Sequence, residues 1–250
     1  LIEAIGDLAT GSDTSTASPR SVFHVDKVHL TNGTYSYFDQ RETNMAGFDY
    51  YHFTLDSISA EVDQLRIAGD TFEINVQALR CVDVKTKLRA HEMDVFYRYT
   101  SQNMQFEHLK AHIGKSFVAN YLEFQYDSTD DLSDFNEKVT LKAHLDSSRF
   151  HTDDLAFFAP TLNGLNETYT IWTDLSGEVV DINFNNLDLR FGKGSHMQGR
   201  VAMKGLPEID ETFVDAKFRS FSCEVNDLEK YVGAEAKDVL SSFGRINYKG

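Results

Sequence analysis

The chain reads with a period of two from Val22 almost to its end. In "GRVAMKGLPEIDETFVDAKF" (199–218), Val201 and Met203 fall on one face of a strand that also holds Met197. After a polar turn containing Pro207, Val214, Ala216 and Phe218 share a face of the next. Similar runs occupy 25–31, 34–38, 50–57, 71–78, 93–99, 117–126, 139–145 and 168–175, with 199–204 the first strand above. Alternate side chains of a strand point to opposite faces, so such a chain is committed to half-buried sheet. Long helical patterns are scarce and there are only 3 prolines, so the expected fold class is all-β.

The alternation also repeats. A pattern of apolar-x-x-apolar-x-apolar-x-x-Gly fits "VDKVHLTNG" (25–33), "FEHLKAHIG" (106–114) and "FNNLDLRFG" (184–192). "VDQLRIAG" (62–69) matches with one residue deleted. The starts lie 37, 44 and 78 residues apart, one or two steps of roughly 40. A second alignment sets "LKAHLDSSRFHTDDL" (141–155) beside "VDAKFRSFSCEVNDL" (214–228). It pairs Leu141 with Val214, Ala143 with Ala216 and Leu145 with Phe218, and both copies run into an Asp-Leu helix start. Repeated sheet units bury their apolar faces by stacking, which predicts an elongated, curled sheet with one continuous apolar stripe. Whether protein fills the curl, as in a sandwich, or leaves it open as a trough stays undecided at this level.

Local signals add detail. "TNGT" (31–34) reads as an Asn-Gly hairpin that sets Leu30 against Tyr35 and Val28 against Tyr37. Two short amphipathic helices are expected at 153–165, bent by Pro160, and at 226–244, closing on Gly244. Residues 1–20 read as a polar lead-in, 21–226 as the repeat sheet, and 227–250 as a short helix with the start of a further repeat. Neither end looks like a natural terminus, so the chain reads as part of a longer protein.

Charge narrows the function. A net charge of −15 opposes binding to nucleic acid and docking on anionic membranes. No run approaches the roughly 18 apolar residues of a membrane-spanning helix. Cys81 and Cys223 suit no zinc or redox motif, and they pair only if the fold joins them. His108 and His112 have i,i+4 spacing, but on a strand they stand about 13 Å apart, too far to share a metal ion. Asp130–Asp131 and Asp153–Asp154 precede short helical segments, where capping accounts for them. "GKGSHMQG" (192–199) lacks the strand–loop–helix setting of a phosphate loop. No catalytic residues, metal or cofactor are expected, and the chain reads as non-enzymatic.

Three stretches resemble a known family. "DLAFFAPTLNGL", "LDLRFGKGSHMQGRVAMKGLPEIDETFVDAKF" and "NDLEKYVGAEAKDVLSSFG" are similar to the periplasmic repeat region of AsmA-like proteins, in particular the TamB-like (translocation and assembly module) members of Bacteroidota. The motif is a strand ending "LRFG" (189–192), a strand ending "GLP" (205–207), then Glu211 and Thr212 before the next strand, and the likeness runs from about Phe23 onward. The resemblance implies a β-taco, a U-shaped sheet with a hydrophobic groove along its inside. It implies a periplasmic location in an inner-membrane-anchored parent that meets an Omp85-type outer-membrane barrel and carries phospholipid between membranes. The anchor and the barrel-binding region are not in this stretch, so only the conduit is expected here. Its phospholipid acyl chains would lie against Val28, Leu30, Leu122, Phe124, Leu187, Leu189, Val201, Met203, Val214 and Phe218. Two other roles fit the pattern: a scaffold for outer-membrane protein clients, or a spacer with a filled sandwich core.

Overall fold

The computed structural model describes residues 22–45, 49, 51–157, 162–208, 211–228 and 244–250. Twelve strands follow one another as a single antiparallel meander, and each is hydrogen-bonded only to its neighbours in sequence. They are β1 (Val22–Phe38), β2 (His52–Ala68), β3 (Thr71–Asp83), β4 (Arg89–Tyr99), β5 (Asn103–Ile113), β6 (Ser116–Gln125), β7 (Thr140–His151), β8 (Thr168–Glu178), β9 (Asp181–Phe191), β10 (Ser195–Lys204), β11 (Phe213–Glu224) and β12 (Arg245–Lys249). The sheet is open, with β1 and β12 as its two edges. The all-β, curled architecture expected from the alternation is therefore what the chain adopts. At roughly 4.8 Å per strand the sheet runs some 50 Å from edge to edge.

Among the described residues the helices are single turns: α1 (Phe135–Lys138), preceded by a 3-10 segment at Thr129–Asp134, then α2 (Thr152–Leu155) and α3 (Val225–Leu228). The helix expected over 153–165 stops at Leu155; residues 158–161 lie outside the described residues. Of the helix expected at 226–244, the turn Val225–Leu228 is seen and 229–243 lie outside the described residues.

The repeated motif takes its meaning from backbone geometry. In the copies at 62–69, 106–114 and 184–192 its first x-x pair holds a β-bulge, one extra residue in one strand. His108 (φ 54°) bulges β5 and Asn186 (φ 50°) bulges β9, both within the repeats. Ala78 (φ 51°) does the same in β3, and Ser147 (φ 51°) in β7. A register shift between Phe218 and Ser220 marks β11. Because a bulge inserts one residue, apolar side chains three apart return to the same face. The motif therefore encodes one continuous face despite its broken period.

The same logic corrects the hairpin at "TNGT". β1 passes straight through it, with Leu30 opposite Ala60 and Tyr35 opposite Leu55 in β2. Asn32 takes φ 53° as part of an irregularity within β1, and its amide donates to Ser59 Oγ at 3.2 Å. A 17-residue partner on β2 gives both halves of β1 a ladder, which outweighs a local turn.

Strands β4, β6, β8 and β10 cross the bulge line without an extra residue, whereas β2 carries one at Gln64 (φ 59°). There β10 carries Gly199, and a Cβ at that position would fall onto the Lys217 carbonyl oxygen and Phe218 Cα of β11. Gly199→Ala should cost about 1–3 kcal/mol through this overpacking. Urea unfolding of the variant measures it, with Gly194→Ala, which meets nothing closer than 3.9 Å, as the control.

Candidate functional site

Register places the apolar positions on one face of the sheet. One rank crosses from Phe23 through Ile67, Phe72, Tyr99, Met104 and Phe124, then on through Leu141, Gly177 and Ile182 to Met203 and Val214. A second, one pleat inward, joins Tyr97, Phe106, Leu122, Ala143, Leu175, Phe184, Val201 and Ala216. The bulges line up beside these ranks along a third. There Val62 (5% exposed), Val95 (4%), Leu109 (6%), Leu145 (8%), Thr173 (3%) and Leu187 (4%) are the most deeply covered side chains of their strands' middles. Beyond that line Met93, Ala111, Val118, Ile171, Leu189, Met197 and Phe221 form the other arm.

No second sheet or long helix covers this face among the described residues. The middle rank is nevertheless buried, with Val95, Leu109 and Ala111 packed against Val76, Met93, Phe106, Ile113 and Val118. Those side chains bury one another because the sheet bends toward them where the bulges sharpen its twist. The result is a trough: a packed floor, two arms, and half-exposed apolar side chains facing inward.

All ten residues singled out from the sequence lie on this inner face. Leu122, Phe124, Val201, Met203 and Val214 sit on one arm, and Leu30 and Leu189 on the other. Val28, Leu187 and Phe218 lie along the floor. Leu187, 4% exposed, packs into that floor, whereas Leu30 at 42% and Val214 at 50% stand open near the two ends of the sheet.

Sequence reasoning left out Phe72, Tyr97, Met104, Phe106, Ile182 and Phe184. Tyr97 stacks between Phe72 (6.2 Å) and Phe106 (5.0 Å), Phe106 meets Phe124 (5.8 Å), and Phe124 meets Phe135 of α1 (5.3 Å). Burial pushes the Tyr97 phenol up to about 12, as an apolar surrounding must. The signal was present: "FEHLKAHIG" contains Phe106, but the bulge at His108 hides the strand from a strict period of two.

Charges keep to the outer face. Glu73 accepts from Arg66 (2.9 Å) and Arg98 (2.9 Å); Asp174 from His144 (2.7 Å) and Asn186 (2.8 Å); Asp188 from His196 (2.8 Å) and Gln198 (2.6 Å). Partial burial would raise Glu73 and Asp188, but these bonds outweigh it and hold both below the ordinary carboxylate range. The bonds from Asn186 and His144 likewise lower Asp174. The inner positions of the strands hold hydroxyls such as Thr173, and a carboxylate only at the trough's lip, in Asp83.

Two matching clasps close one arm. Asp154 of α2 accepts from the Lys115 amide (2.8 Å) and Ser116 Oγ (2.6 Å), and Ser116 Oγ accepts from the His151 amide (2.9 Å). Asp227 of α3 accepts from the Lys193 amide (3.0 Å) and Ser195 Oγ (2.6 Å), and Ser195 Oγ accepts from the Glu224 amide (3.0 Å). In each case the facing turn has glycine at φ 58°, Gly114 or Gly192, where a Cβ would strike the carboxylate. The alignment of 141–155 with 214–228 already set Asp154 against Asp227. These acids hold the fold together; the capping read for Asp153–Asp154 falls instead to His151, whose ring accepts from the Asp153 amide at 3.2 Å. At the other acidic pair, Asp131 accepts from the Asp127 (3.1 Å) and Ser128 (2.9 Å) amides, as a cap.

The remaining candidates fall apart in space. His112 packs on Phe117 at 4.7 Å on the outer face, and His108 is the bulge residue. No group of metal-ligating side chains gathers among the described residues. Cys81 in β3 and Cys223 in β11 are free thiols at opposite parts of the sheet. Comparison with protein-family models, with curated proteins and with solved structures finds no match.

Asp227→Ala strips a buried hydroxyl and an amide of their charged acceptor and should cost about 1–3 kcal/mol. Hydrogen exchange should then quicken at the Lys193 amide and not at Lys115. Asp154→Ala should give the reverse pattern.

Proposed function

We propose that this chain is a non-enzymatic hydrophobic groove that shelters phospholipid acyl chains, one segment of a conduit between the inner and outer membranes. The observation that carries the reading is the unbroken apolar rank from Phe23 to Val214, with no charged side chain along it. An acyl chain of 16 carbons in water forfeits on the order of 12 kcal/mol at about 0.8 kcal/mol per methylene. A trough that stays apolar across eleven successive strands removes most of that barrier over its length. Half-exposed side chains such as Phe124 and Met203 leave room for a guest that a filled core would not. The periplasmic setting, the inner-membrane anchor and the Omp85-type barrel of the parent protein come from the AsmA-like resemblance, which rests on the motifs at 189–192 and 205–212.

One observation favours a second role. β12 pairs only with Ser220–Glu224, so among the described residues the first half of β11 presents a strand edge, with Phe213 68% exposed. Such an edge can template an outer-membrane protein strand by β-addition.

Organic extracts of protein purified without detergent, analysed by mass spectrometry, test the lipid reading. Near-stoichiometric phospholipid is expected, and it should be lost in a folded Leu189→Asp, Met203→Asp variant. A folded wild-type chain that carries no lipid and takes up none on titration contradicts the reading.

A further inference from the structure

The two lips of the trough differ in charge. Among the described residues one lip consists of those at 69–70, 100–102, 126–139, 179–180, 205–208 and 211–212. Asp127, Asp130, Glu137, Glu208 and Glu211 are exposed there, and the only cation among the described turn residues, Lys138, is held by Asp134 at 2.6 Å. Among the described residues the opposite lip consists of those at 39–45, 49, 51, 84–88, 114–115, 152–157, 162–167, 192–194, 225–228 and 244. Arg41, Lys85, Lys87, Lys115 and Lys193 are exposed on it; of its acids Glu42 is exposed, Asp39, Asp153 and Glu167 are half-buried, and Asp49, Asp154 and Asp227 are buried in bonds to the fold.

The lysines of this second lip are built in. The clasps fix the Lys115 and Lys193 amides in the same way, so both repeats present a lysine at the same place beside the trough. Lys115 shares its ammonium with Asp153 at 2.7 Å and Lys85 with Asp49 at 3.3 Å. Lys87 and Lys193 are exposed and form no ion pair among the described residues. Successive lysine turns, at β3–β4 and β5–β6, are two strands apart, or roughly 10 Å.

We propose that the groove is sided: phospholipids lie with their phosphates along the lysine lip at Lys87, Lys115 and Lys193, and the acidic lip opposite repels them. This rests on the acyl-chain reading above. Charge complementarity decides the orientation, because a lipid whose chains occupy the trough must place its phosphate at one lip or the other. A phosphate at the acidic lip would face uncompensated carboxylates; at the lysine lip it meets the ammonium groups of Lys87 and Lys193, which form no ion pair among the described residues.

The test compares uptake of fluorescent phosphatidylglycerol and of fluorescent diacylglycerol with the same chains, presented from neutral vesicles at low salt. In Lys87→Glu, Lys193→Glu, phosphatidylglycerol uptake should fall about threefold or more, the scale of two exposed charge reversals. Diacylglycerol uptake should equal that of wild type. The reversal Glu137→Lys, Glu208→Lys on the other lip should not lower phosphatidylglycerol uptake. Equal uptake of phosphatidylglycerol by wild type and the lysine variant overturns the sidedness while leaving the groove. A wild-type chain that takes up neither lipid overturns the groove reading and the sidedness with it.

Discussion

Everything in this molecule depends on the line of β-bulges that crosses the sheet. A flat single sheet leaves both faces in water, and an apolar face of twelve strands would be an aggregation surface. Ala78, His108, Ser147 and Asn186 each add one residue at the same level of their strands. The sheet creases along that line, and the side chains beside it cover one another. Val95, Leu109 and Leu187 reach 4–6% exposure with no second layer above them among the described residues. The left-handed backbone at four non-glycine residues is the cost of the crease, on the order of 1 kcal/mol each.

The crease also divides labour between residues. Those on the floor provide stability, and those on the arms stay half-exposed and give the trough its surface. The clasps at Asp154 and Asp227 tie the short helices α2 and α3 to the turns opposite them, stiffening one arm at two equivalent places. With Asp154 and Asp227 consumed in clasps on that side and more acids displayed on the other, an acidic chain still offers exposed lysines along one lip. Net charge alone suggests repulsion of anionic lipid; the distribution of charge reverses that expectation locally.

Much of this was legible in the sequence because alternation and repetition are local properties. Leu141, Ala143 and Leu145 were aligned with Val214, Ala216 and Phe218, and register places each pair in a common rank. Leu30 and Tyr35 were misjudged because Asn-Gly serves an irregular strand as well as a hairpin, and only the long partner β2 decides between them. The helix at 153–165 was over-read: apolar residues after Asp154 continue a helical pattern, yet the helix ends within one turn. Phe106 and Phe184 were visible in the repeat but not in the strand pattern, since a bulge shifts the phase by one residue. The role of Lys115 and Lys193 was not legible at all. Their kinship depends on which lip each turn joins, and only the register of the whole sheet determines that.

The central claim is that the inner face meets lipid while the outer face does not. Val201 and Arg200 are adjacent in β10 and point to opposite faces. A photo-crosslinking amino acid placed at each in turn, in cells that make the protein, reads both faces in one experiment. Phospholipid adducts at position 201 and none at 200 are the predicted result. Adducts at neither position, or equally at both, would contradict the account.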